Sequence, residues 1–76
     1  MDFTEELGVR SSFIRWLGYL LADSYLEIHV RLISGWTYVY RVQEVSMWEN
    51  FKSALSKGKY YNLAIKRRFD YVRKYR

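Results

Sequence analysis

Two alternating stretches on either side of Ser34-Gly35 constrain the fold of this chain more than any other sequence feature. Over residues 26–32 apolar side chains alternate strictly with polar ones, which predicts a half-buried strand with one solvated face. Gly35 accepts the positive φ of a tight hairpin turn, so residues 36–42 are expected to form the next, antiparallel strand. The side chains predicted to be solvated are Glu27, His29 and Arg31.

A further strand is predicted over residues 12–20, where aromatic and branched side chains dominate. The polar run at residues 22–24 separates it from the next strand as a turn does. The three strands are then expected to form an antiparallel meander. In the last of them Tyr38 and Tyr40 share one face, and the alternation leaves open whether that face is buried.

Two helices are predicted after the strands. Ser46 and Glu49 have the spacing of a capping box, which places the start of the first helix at Ser46, and Gly58 is expected to end it in the left-handed conformation. The second helix is predicted from about Lys59 to about Arg73. The apolar stripe of the first helix consists of Trp48, Phe51, Ala54 and Leu55, and that of the second consists of Tyr61, Ile65, Phe69 and Val72.

These elements predict an α+β fold, a three-stranded antiparallel β-meander followed by two α-helices packed on one face. We expect a single domain over residues 1–76, with the meander at residues 11–42 and the helices at residues 46–76. Residues 1–10 are predicted to be an N-terminal extension in which residues 2–8 make one acidic helical turn. Because a chain of 76 residues has a small core, its aromatic content of 20% has to supply much of the buried area.

The composition excludes several classes of protein. The chain contains no cysteine, so it has neither a disulfide framework nor a thiolate metal site. No stretch approaches the roughly 18 uninterrupted apolar residues of a membrane-spanning helix, and the acidic N-terminus lacks the basic start of a secretory signal. We therefore expect a cytoplasmic protein that has no membrane partner.

Positive charge is concentrated at the C-terminal end. Residues 1–56 carry five Lys or Arg against seven Asp or Glu, whereas residues 57–76 carry eight against one, so their charges are −2 and +7. This asymmetry attracts phosphate, anionic lipid or an acidic protein surface. The cations predicted to contact such a partner are Lys57, Lys59, Lys66, Arg67, Arg73 and Lys74. The tyrosines predicted either to stack on unpaired bases or to pack in the core are Tyr38, Tyr40, Tyr60 and Tyr71.

Catalysis receives little support from the sequence. His29 is the only histidine, and with Glu27 on the same strand face it is expected to make a surface pair rather than a nucleophile's base. Asp70 has no carboxylate partner at helical spacing, and no cluster of His, Asp and Glu has the spacing of metal ligands. We therefore expect a protein that is not an enzyme and that uses no metal and no cofactor.

Several short segments between Ser11 and Phe69 are found together in a known family. They are Ser11-Ser12, Gly18-Tyr19, Leu26-Glu27-Ile28, Gly35, Tyr38-Val39-Tyr40, Ala54, Ser56-Lys57-Gly58-Lys59-Tyr60-Tyr61-Asn62 and Ile65-Lys66. By these segments the chain resembles the KTSC domain family, named for its occurrence at the C-terminus of some lysyl-tRNA synthetases and also found as a stand-alone chain. The resemblance implies a sheet-plus-helix domain, and the synthetase context suggests RNA binding.

The leading hypothesis is a small non-catalytic domain that binds nucleic acid, either RNA or a single strand, through its basic C-terminal helix and exposed tyrosines. Stand-alone members of the family look like phage and mobile-element products. The alternative hypothesis is therefore an inhibitor that binds an acidic surface of a host protein, such as RNA polymerase or a nuclease effector. The open edges of a three-stranded sheet would also allow a homodimer.

Overall fold

The computed structural model describes residues 3–76 and contains a five-stranded antiparallel sheet in which each strand pairs with the next along the chain. The α+β class and the two helices are confirmed, and the sheet has two more strands than predicted. The strands are β1 (Glu5–Gly8), β2 (Ile14–Leu21), β3 (Leu26–Leu32), β4 (Thr37–Val42) and β5 (Arg73–Tyr75). The helices are α1 (Val45–Ser53) and α2 (Lys57–Tyr60), and α2 continues directly as a π-helical segment, Tyr61–Lys66.

The predicted hairpin between β3 and β4 is confirmed. Gly35 has a φ of 97° in the turn, where a residue with a side chain would be strained. The register pairs Ile28 with Tyr40 and Val30 with Tyr38. Because directly paired residues point to the same side of a sheet, both tyrosines share the face of Ile28 and Val30. This is the face that the helices cover, which answers the question that alternation left open.

The core lies between this face of the sheet and the helices. α1 contributes Trp48 and Phe51, and the π-helical segment contributes Tyr61 and Ile65, all of them buried. Tyr19 of β2 stacks on Trp48 with ring centroids 5.3 Å apart. Burying side chains of this size contributes about 1.5–3 kcal/mol each. The sheet residues that belong to this hydrophobic core are Ile14, Leu17, Tyr19, Leu26, Ile28, Val30, Tyr40 and Val42.

The helical turn predicted near the N-terminus is wrong, because Glu5–Gly8 is the strand β1. The first two residues of the chain, one of which belonged to that prediction, lie outside the described part. The carboxylate of Glu5 accepts hydrogen bonds from Trp48 Nε1 and Lys52 Nζ, both at 2.8 Å. These bonds attach β1 to α1, and contacts between distant parts of the chain override local helical spacing. The segment Glu5–Gly8 therefore contributes an edge strand to the sheet.

The second helix ends at Lys66, not near Arg73, and the chain then returns to add β5 beside β4. The register places Lys74 opposite Tyr38. Pairing with β5 satisfies backbone groups of β4 that would otherwise form an open edge of the sheet. Val72, which was predicted to face the core, is consequently 48% exposed.

α1 lacks the predicted capping box. It begins at Val45 after Glu44, whose side chain makes no capping bond, and Ser46 Oγ donates to the Glu44 carboxylate at 3.2 Å instead. The helix ends at Ser53. Leu55, which was predicted to lie on its apolar stripe, is therefore outside the helix and fully exposed.

Gly58 does not end α1 in a left-handed conformation but lies buried inside α2. A Cβ atom at this position would come within 2.7 Å of the Phe13 ring and 3.2 Å of Ser11 Oγ. Glycine is therefore required for close approach rather than for its φ. The residue that begins the helix is Ser56, whose Oγ accepts from the Lys59 amide at 3.3 Å as an N-cap.

Candidate binding site

An aromatic pocket of about 380 Å³ opens between β4 and the chain that follows the π-helical segment. Tyr38 and Tyr71 contact each other edge to face at its wall, with ring centroids 5.0 Å apart and an interplanar angle of 79°. Tyr71 is 46% exposed, so part of its ring is available to a ligand. The volume is within the range of small-molecule sites. The residues of the aromatic pocket are Phe13, Leu32, Tyr38, Tyr40, Tyr61, Lys66, Phe69, Asp70 and Tyr71.

A buried pair of hydroxyl groups lies in this pocket. The hydroxyls of Tyr40 and Tyr61 are 2.8 Å apart and hydrogen-bonded to each other. Burial raises the pKa of both groups above that of an exposed tyrosine, and the bond to Tyr40 raises the pKa of Tyr61 further. Both hydroxyls are therefore protonated at neutral pH. Tyr40 was predicted as a contact residue, but its ring is 2% exposed and has no free face for stacking.

Positive charge lies in the lining of the pocket and beside its β4 wall. Lys66 and Asp70 belong to its lining. Lys74 Nζ lies 5.2 Å from the ring centroid of Trp36 and 5.9 Å from that of Tyr38. The guanidinium carbon of Arg76 lies 4.9 Å from the Trp36 ring. Lys66 and Asp70 thus line the concavity, Lys74 lies near its Tyr38 wall, and Arg76 lies over the Trp36 ring, which is outside the lining.

Several of these residues were missed as site residues by the sequence analysis. Phe13 and Phe69 were assigned to a strand and to a helix stripe, and the packing of the π-helical segment against Phe13 brings their regions together. Trp36 could have been assigned to the site from the sequence, because alternation along the predicted strand places it on the same face as Tyr38 and Tyr40.

The other predicted contact residues lie apart from the aromatic pocket. Lys57 and Lys59 are on α2 and line a different concavity. Tyr60 is half-buried, and its hydroxyl donates to the Met47 carbonyl at 3.3 Å. Arg67 is exposed in the turn after the π-helical segment. From the predicted set, the structure therefore brings Tyr38, Tyr40, Lys66 and Tyr71 into one lining and places Lys74 beside Tyr38.

Arg73 does not join the other cations, because it binds a carboxylate on the opposite face of the sheet. Its Nη1 and Nη2 atoms donate to Oε2 and Oε1 of Glu27 at 3.0 and 3.2 Å, a bidentate pair. Arg41 Nε adds a longer contact of 3.7 Å to the same carboxylate. Burial alone would raise the pKa of Glu27, but hydrogen bonds from Arg73 and His29 outweigh it and hold that pKa below its ordinary value.

His29 is buried, so the predicted solvated face of β3 and the predicted surface pair are both wrong. Burial lowers the pKa of His29 despite the neighbouring Glu27 carboxylate, and the imidazole is therefore neutral. In this state Nε2–H donates to Glu27 at 3.1 Å, and Nδ1 accepts from the Tyr75 hydroxyl at 2.9 Å. The Phe3 ring packs nearly perpendicular to the imidazole, with centroids 4.8 Å apart. The cluster fastens β5 to the sheet and leaves no free ring nitrogen for acid-base chemistry.

We expect the protein to lose stability as the pH falls from about 7 to about 5. The pKa of His29 is below the ordinary value of 6.5 in the folded state, so the unfolded state takes up the proton first. The free energy of unfolding then decreases as the pH falls below about 6.5. The lowered pKa of Glu27 adds a further loss only near and below its ordinary value of 4.5.

Thermal unfolding at a series of pH values measures this effect. His29 is the only histidine of the chain, so His29→Gln, which keeps a donor and an acceptor, serves as the control. Its unfolding midpoint should be nearly constant between about pH 7 and pH 5.5. The same pH dependence in both proteins would contradict the assignment of this stability loss to His29.

The described part of the chain contains neither an orphaned buried polar side-chain atom nor a cluster of metal ligands. Over residues 3–76 no buried side-chain nitrogen or oxygen lacks a hydrogen-bond partner. In the same range no three His, Asp or Glu side chains gather closely enough to hold a metal ion. No helix of the described chain is long and apolar enough to cross a membrane.

Comparison with known proteins gives a family and a structural relative. The KTSC domain model matches residues 10–69. A solved KTSC domain protein from Yersinia pestis is 36% identical, with a TM-score of 0.73, and the match covers 95% of this chain and 97% of that chain. No curated protein matches. The family match omits both edge strands, β1 and β5.

Proposed function

We propose that this chain, which belongs to the KTSC domain family, is a non-catalytic protein that binds single-stranded nucleic acid. The observation that supports it most is the aromatic pocket, which has Lys66 in its lining, Lys74 beside Tyr38, and Arg76 next to Lys74 over the Trp36 ring. Binders of single strands combine aromatic rings for the bases with cations for the backbone. RNA is the first ligand to test, because the resemblance to synthetase-associated domains suggests it.

The aromatic pocket suits an unpaired base. An exposed part of the Tyr71 ring offers a stacking surface, and stacking of this kind contributes about 1–3 kcal/mol per base. The exposed Asp70 carboxylate in the pocket lining accepts hydrogen bonds and suits a donor group at the edge of a base. A base held inside a duplex cannot enter such a concavity, so we expect a preference for single strands.

The surrounding cations suit the phosphates on either side of that base. Lys66 contributes to the pocket lining, and Lys74 and Arg76 lie over the Trp36 ring. None of the three forms an ion pair with a carboxylate in the described part of the chain. If each contacts one phosphate of a single strand, log affinity should fall with log salt concentration at a slope of about −2.

Binding of a fluorescein-labelled single-stranded RNA, measured by fluorescence anisotropy at several salt concentrations, tests this proposal. We expect Lys74→Ala to weaken binding and to make the slope less steep by about 0.7, because one phosphate contact is lost. Arg15→Ala removes an exposed cation that does not line the pocket and should leave the slope unchanged. Absence of salt-sensitive binding to single-stranded RNA or DNA would contradict the proposal.

A second candidate function is supported by an apolar surface that runs from the residues before α2 to the π-helical segment. Leu55 is fully exposed and Leu63 is 53% exposed, and both adjoin Tyr60 and Ala64. Exposed apolar patches often mark protein interfaces. This observation favours the alternative of a phage or mobile-element inhibitor that binds a host protein. A host protein retained stoichiometrically from nuclease-treated lysate, and lost with Leu55→Ser, would favour it over nucleic-acid binding.

A further inference from the structure

A second concavity lies between the segment that precedes β2 and the start of α2. Its volume is about 540 Å³. The two walls approach each other at Gly58, where the absence of a side chain admits Phe13 and Ser11. We call this concavity the basic cleft, and its polar side chains include Arg10, Ser11, Ser12, Lys57, Lys59 and Asn62.

All titratable side chains that line the basic cleft are cations. They are Arg10, Lys57 and Lys59, and no carboxylate lies among the lining residues. Over residues 3–76 none of the three forms an ion pair. Lys57 Nζ donates to the Ala54 carbonyl at 3.0 Å, which leaves two of its three protons for another acceptor. Because cations that share a cleft repel one another, an anion between them would lower the energy of all three.

The neutral groups of the cleft are also hydrogen-bond donors. Ser11 Oγ accepts from the amides of Phe13 and Ile14, both at 3.3 Å, which fixes its position and leaves its own proton to donate. The Ser12 hydroxyl and the Asn62 amide add further donors on the two walls. Several donors arranged around one space match an anion with several acceptor oxygens.

We infer that the basic cleft binds a phosphate group, held by Arg10, Lys57 and Lys59 and oriented by the serine hydroxyls. The basic cleft and the aromatic pocket share Phe13 in their linings and have no charged residue in common. The inference therefore does not depend on nucleic-acid binding. The ligand is recognised by its phosphate alone, whether free or carried by a small molecule.

Titration of ¹⁵N-labelled protein with inorganic phosphate at constant ionic strength, followed by NMR, tests the inference. We expect saturable shifts at the amides of Ser11, Ser12, Gly58 and Asn62. The variant with both Arg10→Ala and Lys59→Ala should bind at least about tenfold more weakly, since each lost bond involves a charged donor. Arg68→Ala, which removes an exposed cation outside the cleft, should leave the affinity unchanged.

Uridine and uridine 5′-monophosphate identify the recognised group. The monophosphate should shift the same amides as inorganic phosphate does, and uridine should not. Shifts that grow linearly with phosphate concentration and spread over all basic residues would overturn the inference. Uridine that shifts the amides of the basic cleft would overturn it as well. Because inorganic phosphate has no base, absence of phosphate binding would leave the proposal for the aromatic pocket standing. Absence of RNA binding would likewise leave the phosphate site in the basic cleft standing.

Discussion

Replacing Tyr61 with alanine should lower the free energy of unfolding by about 3–5 kcal/mol, as large aromatic truncations in cores do. The side chain is 2% exposed, and its ring packs against Phe13 and Tyr40, with centroids 6.2 and 5.9 Å away. The substitution opens a cavity and also leaves the buried Tyr40 hydroxyl without its partner. Urea denaturation measures the change.

A more conservative substitution separates the two contributions. Tyr61→Phe keeps the ring and removes only the hydroxyl that bonds Tyr40 at 2.8 Å. It should therefore lower the free energy of unfolding by about 1–3 kcal/mol, the usual penalty for a buried polar group left unpaired. A loss below about 1 kcal/mol for Tyr61→Ala would show that this residue is not part of a packed core.

Replacing Tyr71 with alanine should weaken binding of single-stranded RNA by about 5- to 150-fold, which corresponds to the loss of one stacked base. Its effect on stability should be small, because the side chain is 46% exposed and its ring contacts that of Tyr38 only edge to face. Fluorescence anisotropy gives the dissociation constant, and urea denaturation checks that the fold is intact.

Two control variants sharpen this prediction. Tyr71→Phe keeps the stacking ring and should bind within about twofold of the original protein, since stacking tolerates loss of the hydroxyl. Tyr25→Ala removes another exposed tyrosine, which lies under Arg41 rather than at the pocket. An equal loss of affinity for Tyr71→Ala and Tyr25→Ala would mean that the aromatic pocket is not the binding site.

The local features of the fold were predictable from the sequence. The hairpin at Gly35 follows from a glycine between two alternating stretches, and both signals lie within a few residues. The core positions Tyr61 and Ile65 follow from helical spacing, which the π-helical segment retains closely enough to bury both. Such elements depend on neighbours in the chain, and a single sequence contains that information.

The edge strands were not predictable in the same way, because contacts between distant residues determine them. β1 depends on bonds from Glu5 to α1, and β5 depends on the Arg73–Glu27 and Tyr75–His29 contacts. Helical spacing favours a helix through this C-terminal stretch, and the gain from pairing with β4 overrides it. The same return of the chain covers Glu27 and His29, which alternation alone assigned to solvent.

The candidate site was predicted only in part for the same reason. Charge and aromatic content identified Lys66, Lys74, Tyr38 and Tyr71 on a presumed helix and strand. Lys66, Tyr38 and Tyr71 line one pocket, and the pairing of β5 with β4 places Lys74 opposite Tyr38. Residue types could be read from the sequence, whereas the shared concavity depends on tertiary structure.

The central claim is that an unpaired base occupies the aromatic pocket. Its most direct test is NMR of the labelled protein with a short single-stranded RNA, recording nuclear Overhauser contacts between base protons and tyrosine rings. We expect contacts from a base to Tyr38 and Tyr71, with shifts at Lys66 and Lys74. RNA that binds with contacts confined to the basic cleft or to the Leu55 surface, or that does not bind at all, would contradict the claim.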